Sequence, residues 1–482
     1  MSEAPGHKVI IGERAASPTA ASSASTGYVA GVFQKGSTLE PVLVTSITDA
    51  VNKCGERVAA HPEAYDALET MFREGATDVY LGREVGAAAK AATKNAVDAS
   101  SKKTLEITAK SKGSWGNAIK VVITLTSGKI VLQVQYNGVT VETSPELDTN
   151  AEAVAWALEN SSYITIVDIS AAESGGDAKT QTLELAEGAD KYEELGTPSV
   201  EAALSLFTKD LGPGQVLVPG GTTEAIHKAA LTHCANNNRR AVLNLTSTAS
   251  AAEHVARGQA LRGATAKFGA LLDGWAVIPG NSLGTTRKVP MAAVYAGLIA
   301  RNESEGRGPN QAAAGKRGKA RYARELVSPR TDAQRAELND AGVIGSIMVR
   351  GVVMVYGNVS LVNQTTEPNW KSFSGSRTIM AIAAIAGEAL ENYDFATIDG
   401  HGYIFKELEG DLAGTACMPF YLANELYGST PAEAFIVNTG PDVNTPESIA
   451  AEQIKAQIGA RTSPNAEHSF VEIVKVPITE DL

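Results

Sequence analysis

The stretch from Ala434 to Val476 limits the fold more than any other. Ala434-Phe435-Ile436-Val437 is an apolar run, Asn444-Thr445-Pro446-Glu447-Ser448-Ile449 follows, and Ile454, Ala456, Ile458 and Ala460 recur at every second position. Phe470-Val471-Glu472-Ile473-Val474-Lys475-Val476 then precedes an acidic tail. Period-two patterning and β-branched residues make the first, third and fourth of these strands. Thr445 suits a helix N-cap and Pro446 the first helical position, where its missing N–H is not needed, so a short helix begins there with Ile449 on the buried side. A strand with two largely apolar faces must join a sheet, in its own subunit or in a neighbour.

The other end carries the complementary pattern. Val9-Ile10-Ile11 is a short strand, and residues 15–26, mostly Ala, Ser and Thr, cannot bury enough surface to fold alone, so they read as a flexible tether. Both ends are suited to β-augmentation, in which main-chain hydrogen bonds join an added strand to an open sheet edge.

Between them the chain alternates strand and helix. Tyr28–Phe33 is a buried strand broken at Gly36, Pro41–Ser46 a second apolar run leading into a helix, residues 61–75 a helix with Tyr65, Leu68, Met71 and Phe72 on one side, and Thr77–Arg83 the next strand. This rhythm predicts parallel strands with crossover helices. Residues 87–103, rich in Ala, Lys and Ser, read as a boundary. Short strands follow at 105–109, 119–124, 130–136 and 139–143, with Asn137-Gly138 as a hairpin turn, a helix near 150–159 and a strand at 164–167. Trp115, between glycines, reads as a turn tryptophan packed on its own unit rather than a ligand platform.

From Ser199 the α/β alternation returns: strands at 216–220 and 240–245 flank a helix at 224–236, and 275–279 and 289–301 continue the pattern. A helix at 332–341, one apolar strand over 347–356 and an amphipathic helix over 376–392 complete it. The division expected is an N-terminal arm and linker (1–26), a core in two parts (27–103 and 189–365), a β-rich insertion (104–188) and a C-terminal domain with a terminal strand arm (366–482).

At 482 residues the chain is long enough for several cores. Its net charge of −12 argues against gripping nucleic acid, which needs a basic face. Cys54, Cys234 and Cys417 lie far apart with no Cys-x-x-Cys spacing, so reduced, partly buried thiols are expected rather than disulfides or zinc. No apolar run approaches the roughly 20 residues that span a bilayer, and the N-terminus lacks the basic-then-apolar order of a signal peptide. The chain is expected to be made and folded in a cytoplasm.

Several fragments invite an enzymatic reading. Gly220-Gly221-Thr222-Thr223, between strand and helix, offers a helix N-terminus to an anion but lacks a phosphate-loop pattern. Residues 308–316 have Asn310 where a Walker loop needs glycine, and Arg317 where it needs a hydroxyl. Asp399-Gly400-His401-Gly402 followed by Gly414-Thr415-Ala416-Cys417-Met418-Pro419 is similar to subtilisin segments, but the nucleophile position is Ala416, which cannot attack a carbonyl. His227 and His233, with Cys234, are six residues apart on one helix, not the four of a zinc helix, and read as surface histidines. No catalytic, cofactor or metal residue is expected. The one cationic cluster, Lys316, Arg317, Lys319, Arg321 and Arg324, is either a solvated loop or a surface that faces an acidic patch on a partner subunit.

Taken together, the C-terminal order of Phe-Ile-Val, Asn444 to Ile449, a strand, Pro464-Asn465-Ala466-Glu467 and Phe470 to Val474 resembles the C-terminal domain of contractile tail sheath proteins. Pro41 to Ser46, Gly75 to Arg83, Lys110 to Asn117 and Val289 to Arg301 resemble further blocks of that family. The resemblance implies an α/β core that is a subtilisin-like three-layer sheet without catalytic use, carrying a β-rich insertion domain and extended N- and C-terminal strand arms. It implies a structural protomer, not an enzyme, that stacks as six-subunit rings around a tail tube, with baseplate and tail terminator proteins as further partners, and contracts to drive the tube through an envelope. Val9, Ile10 and Ile11, and Phe470, Val471, Ile473, Val474 and Val476, would be strands donated to neighbours, and Pro446, Glu447, Ser448 and Ile449 the helix facing the tube. The place implied is a virion tail assembled in a host bacterial cytoplasm, with neither nucleic acid nor membrane bound by the chain itself. Alternatives are a headless tailocin or other injection particle and, more remotely, a monomeric hydrolase relative.

Overall fold

The computed structural model describes residues 24–467, 469 and 471. The arm residues Val9, Ile10, Ile11, Phe470, Ile473, Val474 and Val476 lie outside the described residues.

Described in order, the first elements are β1 (Gly27–Gly31), β2 (Val42–Val44), α1 (Ile47–Cys54), α2 (Glu63–Glu74) and β3 (Val79–Arg83). The Ser46 hydroxyl caps α1 by accepting the Asp49 amide, and Gly55 and Gly75 close α1 and α2 at φ of 83° and 127°, a region that favours glycine. β1 runs parallel to β3, from Gly27 opposite Val79 to Gly31 opposite Arg83, as a helical crossover requires.

A β-rich unit interrupts this sheet. It comprises β4 (Thr93–Val97), β5 (Lys103–Ala109), β6 (Ile119–Thr126), β7 (Lys129–Tyr136), β8 (Val139–Thr143), α3 (Asn150–Asn160), β9 (Ile164–Asp168), the one-turn α4 (Ser170–Glu173) and β10 (Gln181–Glu184). The strands form two antiparallel sheets, β4-β5-β9 and β10-β6-β7-β8. Residues 93–97, within the expected boundary stretch, are therefore a strand: Ala96 packs into the unit's core, and alanines there look linker-like in sequence only because their partners are distant. Asn137 (φ 52°) and Gly138 (φ 79°) make the β7–β8 turn. Trp115 is buried against Tyr136 and Tyr163, with its indole N–H donating to the Ser111 and Lys112 carbonyls (3.2 and 3.1 Å).

The sheet resumes after α5 (Thr197–Ser205) with β11 (Gln215–Leu217), α6 (Glu224–Asn236), β12 (Arg240–Asn244), α7 (Ala251–Ala260), β13 (Gly269–Leu272), β14 (Trp275–Pro279), β15 (Thr286–Pro290), α8 (Met291–Ser304), β16 (Glu325–Leu326), α9 (Asp332–Asp340), β17 (Val343–Val349) and β18 (Val352–Tyr356). The eight-stranded order is β18-β17-β13-β12-β11-β1-β3-β2, with antiparallel edges and a parallel centre. Alternate residues face opposite layers. Val29, Leu217, Val242 and Leu272 pack with α2 and α8, whereas Tyr28, Val216, Leu243 and Val343 pack with α5 and α6. Burial on both faces explains the continuous apolar runs of these strands.

Two expectations change. Residues 275–279 leave the parallel sheet and pair with β15 and β16 as a separate antiparallel sheet. The 347–356 run is not one strand but parts of β17 and β18, because Arg350 (φ 51°) and Gly351 (φ 77°) take the two positive-φ positions of a tight hairpin turn.

The C-terminal unit contains α10 (Phe373–Leu390), α11 (Tyr403–Leu412), α12 (Met418–Leu422), α13 (Pro431–Ala434), β19 (Phe435–Asn438), α14 (Pro446–Ala450) and β20 (Gln457–Ala460). Its core gathers Met380, Ile382, Leu408, Leu412, Leu426 and Val437. The three cysteines are free and fully buried, deeper than expected, and burial pushes the Cys54 and Cys234 thiols up to about 12.

Candidate assembly interface

β19 and β20 form a two-stranded antiparallel sheet, Phe435 opposite Ala460 and Val437 opposite Ile458. Ile454, Ala456, Ile458 and Ala460 pack one face against the α10–α11 core, as their period predicts, while Ile436 on the other face is 65% exposed. Among the described residues neither strand has a second neighbour in this sheet, so both outer edges present unpaired backbone groups. Such a pair is marginal alone and gains from further strands. Of the described chain ends, the N-terminal one reaches the cluster on which this sheet packs, whereas the C-terminal one passes over Asn310, Ser374 and Lys371. Ala24 is buried in the same apolar cluster, with its carbonyl accepting from Gln215, and Val471 is 84% exposed.

α14 begins as its sequence dictates: Thr445 accepts the Ser448 amide (3.3 Å) and Pro446 occupies the first turn. Asn444 fixes the segment by donating to the Thr439 and Lys455 carbonyls (2.8 Å each) and accepting the Lys455 amide (2.8 Å). Pro446 and Glu447 are exposed, Ile449 half-buried, and Ser448 buried.

The basic loop is anchored from beneath by Glu74. This fully buried carboxylate pairs with Arg301 of α8 (3.1 Å) and accepts the Arg321 and Tyr322 amides (2.9 and 2.8 Å). Lys319 bridges to Met354 of β18, and the Arg324 amide donates to Val277 (2.8 Å). The backbone so held forms a bowl of about 430 Å³ lined by Arg301, Arg307, Lys316, Arg317, Lys319 and Arg321, with Glu305 its one carboxylate. Arg324 lies outside it. Glu305 pairs with Arg307 and Arg321, whereas Lys316, Arg317 and Lys319 make no ion pair among the described residues. Sequence reading missed Glu74, whose signal was an acid in the last turn of a helix, where the dipole disfavours it.

A clasp joins core and C-terminal unit. Asn310 donates to the Ser463 carbonyl (2.9 Å), Asn465 to the Asn310 carbonyl and the Ser374 hydroxyl (3.1 and 2.9 Å), and Lys371 pairs with Glu467 (2.8 Å). Arg377, fully buried, sits against Glu303, and Glu425 accepts the Asn310 amide (3.2 Å). Burial raises the Glu425 carboxyl to about 7, against the opposing pull of the Asn310 amide and Arg377. Because its folded pKa lies above the unfolded one, its contribution to stability is complete below about pH 4.5 and is lost as pH rises through about 7. Glu425→Gln should remove that loss, stabilising the clasp at pH 8 by roughly 1–2 kcal/mol after allowing for solvent screening. Thermal unfolding across about pH 5–8 with the same slope in variant and wild type would contradict it.

The enzyme-like fragments are occupied structurally. Asp399 accepts the amides of His401, Tyr403 and Ile404 (2.8, 3.1 and 2.9 Å), capping α11, while Ala416 is buried in a π-turn between α11 and α12. Thr223 caps α6 by accepting the Ile226 amide (3.3 Å). His227 is not a surface residue: it is buried, bonded to the Asn244 carbonyl (3.0 Å) and to Arg257 (3.1 Å), and burial pushes its pKa down to about 4. Its face of α6 turns inward because Ala230, Leu231 and Cys234 lie beside it. His233 is half-buried against Arg239. Among the described residues no three metal-ligating side chains converge, and no helix is long and apolar enough to cross a membrane.

No protein-family model and no curated protein sequence matches the chain. Solved structures do. A sheath tail protein of Desulfitobacterium hafniense aligns over 91% of this chain and 93% of its own at a TM-score of 0.57 and 14% identity. A sheath tail protein of Listeria innocua aligns over 86% and 89% at 0.62 and 13%. The contracted helical sheath of the anti-feeding prophage aligns over 98% and 99% at 0.54 and 15%. The mixed α/β fold with several sheets is the one these sheath proteins share.

Proposed function

We propose that this chain is the sheath protomer of a contractile tail or injection particle. Stacked six-subunit rings would surround a tail tube between baseplate and terminator, and contraction would drive the tube through the target envelope with no nucleotide hydrolysed and no cofactor. Likeness to sheath structures over nearly the whole chain supports the fold. The single observation that carries the function is the unfinished β19–β20 sheet, with two outer edges that have no further strand among the described residues and with Ala24, the first described residue, in the apolar cluster on which it packs. Val9 to Ile11 of one neighbour and Phe470 to Val476 of another would complete it, and the linker of residues 15–26, anchored at its end by the buried Ala24, would absorb the sliding of cores during contraction.

The finer assignments belong to the same proposal. The core, residues 27–103 apart from β4 and residues 189–365, is subtilisin-like in layout with its chemistry absent; residues 104–188 together with β4 are the insertion, 1–26 the N-terminal arm and 366–482 the C-terminal domain. The exposed edge of α14 at Pro446 and Glu447 would meet the tube. The extended assembly would be kinetically trapped, and contraction would release it into a state that buries more core-to-core surface. The setting is a virion tail, or a headless particle of the same construction, put together in a bacterial cytoplasm. Negative-stain microscopy of the purified chain should show tubes or rings. A monodisperse monomer with esterase or peptidase turnover would overturn the reading.

A further inference from the structure

The charge of this acidic chain is unevenly divided. Residues 301–324 carry seven bases and two acids, whereas residues 388–411 carry seven acids and one base, Lys406. The first segment holds the bowl described above, with Glu303 and Arg324 outside its lining. The second covers the end of α10 and all but the last residue of α11, where Glu388, Glu391, Asp394, Glu407 and Glu409 are exposed. None of these five acids makes an ion pair among the described residues, and neither do Lys316, Arg317 and Lys319 in the bowl. The two helices share one apolar cluster through Ala386, Ala389, Leu408 and Leu412, with Tyr393 packed against it, and so form one ridge; the Tyr393 phenol, pushed up first by burial, also feels Asp411 and Glu407.

Ridge and bowl cannot meet within one molecule. Arg377, near the start of α10, touches Glu303 at the margin of the bowl. Glu388 is eleven residues further along that helix, roughly 16 Å away at 1.5 Å per residue, and at its opposite end. Each patch therefore keeps at least three charges without an ion pair among the described residues, a self-repelling arrangement that an opposite surface within a Debye length would relieve.

We infer that the acidic ridge of one copy seats in the basic bowl of the next. The contact joins two different patches, so it is heterologous and propagates head to tail into a ring or a helix instead of closing as a dimer. It rests on the sheath reading for the architecture it serves and adds the residues that set which copy docks on which, with electrostatics supplying register and encounter rate. The bowl is concave and rigidly backed by Glu74, and a helix end with two or three carboxylates suits its size.

The test is a charge swap in the full-length chain. Lys316→Glu/Arg317→Glu/Lys319→Glu reverses the bowl and Glu407→Lys/Glu409→Lys the ridge; all five positions are exposed, and circular dichroism checks that both variants fold. Assembly is followed by sedimentation and negative-stain microscopy between about 0.05 and 0.5 M salt, where screening grows severalfold. Each variant alone is expected to raise the concentration needed for assembly at low salt by tenfold or more, and the combined variant to recover it. Wild-type assembly that ignores salt, or single variants that assemble normally, would overturn the contact while leaving the sheath reading intact. Single defects that the combined variant does not repair would mean another acidic surface occupies the bowl, and would overturn it as well. Salt-sensitive, swap-sensitive oligomers that never form tubes would keep the contact and reject the sheath reading. A wild-type monomer at every salt and concentration would reject both.

Discussion

A chain lacking residues 1–14 is expected to show the circular dichroism and thermal transition of the full-length protein and yet form no tubes. The eight-stranded sheet and its two helical layers are complete within the described residues, and their clusters are built from residues 28–373. What the truncation would remove is Val9-Ile10-Ile11, the strand proposed to join a neighbour's β19–β20 edge. A three-residue strand adds only a few main-chain hydrogen bonds, each worth about 0.5–1.5 kcal/mol net. Every protomer loses them, however, so a lattice whose connectivity depends on them fails as a whole. Removing everything after Phe470 should act in the same way at the other edge. Sedimentation and negative-stain microscopy read the result, and tubes of normal length from either truncation would refute arm exchange.

Much of this architecture is legible because local pattern and tertiary role agree. Tyr28, Val29 and Ala30 are apolar in succession because both faces of β1 are covered, and Asn137-Gly138 can hardly be other than a turn. Thr445-Pro446 marks α14 for the same local reason. Where the reading failed, distant partners decided. Ala92 and Ala96 are linker-like until Leu105 and Ile107 pack on them, His227 is buried by the elements around Asn244 and Arg257, and β14 turns out of the sheet to meet β15. The bowl was half visible: Lys316, Arg317, Lys319 and Arg321 cluster in sequence, but Glu74 and Arg301, which hold it, come from elements that no local pattern connects. The clasp was invisible for the same reason, although Pro464 to Glu467 had been singled out by resemblance.

The largest loss of stability from one substitution is expected at Arg83, which closes β3. Its guanidinium is fully buried and donates to the carbonyls of Phe33 (2.9 Å), Gln34 (2.9 Å), Gly36 (3.2 Å) and Lys112, and to the carboxylate of Asp190 (3.0 Å). These partners belong to the loop after β1, to the turn that carries Trp115, and to the segment where the insertion returns to the core. One planar fork thus fixes how the insertion sits on the core. Asp190 also accepts from the Ser114 amide (3.0 Å), so it stays in place and buried if Arg83 goes. Arg83→Met fills most of the volume but leaves that carboxylate without its cation and several carbonyls without donors, which costs about 3–5 kcal/mol. Arg83→Lys should lie between, since an ammonium can reach Asp190 but cannot reproduce the fork. Adding Asp190→Asn to Arg83→Met should recover part of the loss, because the stranded charge is then gone. A chain with several cores does not unfold in one step, so the effect belongs to a local transition. It should be read by hydrogen exchange at residues 33–36, 110–117 and 188–192 alongside urea unfolding. Exchange there within about 0.5 kcal/mol of wild type would show that the insertion is held by its apolar contacts instead, with the cation of Lys35 over the Tyr163 ring (4.8 Å) as the next contact to test.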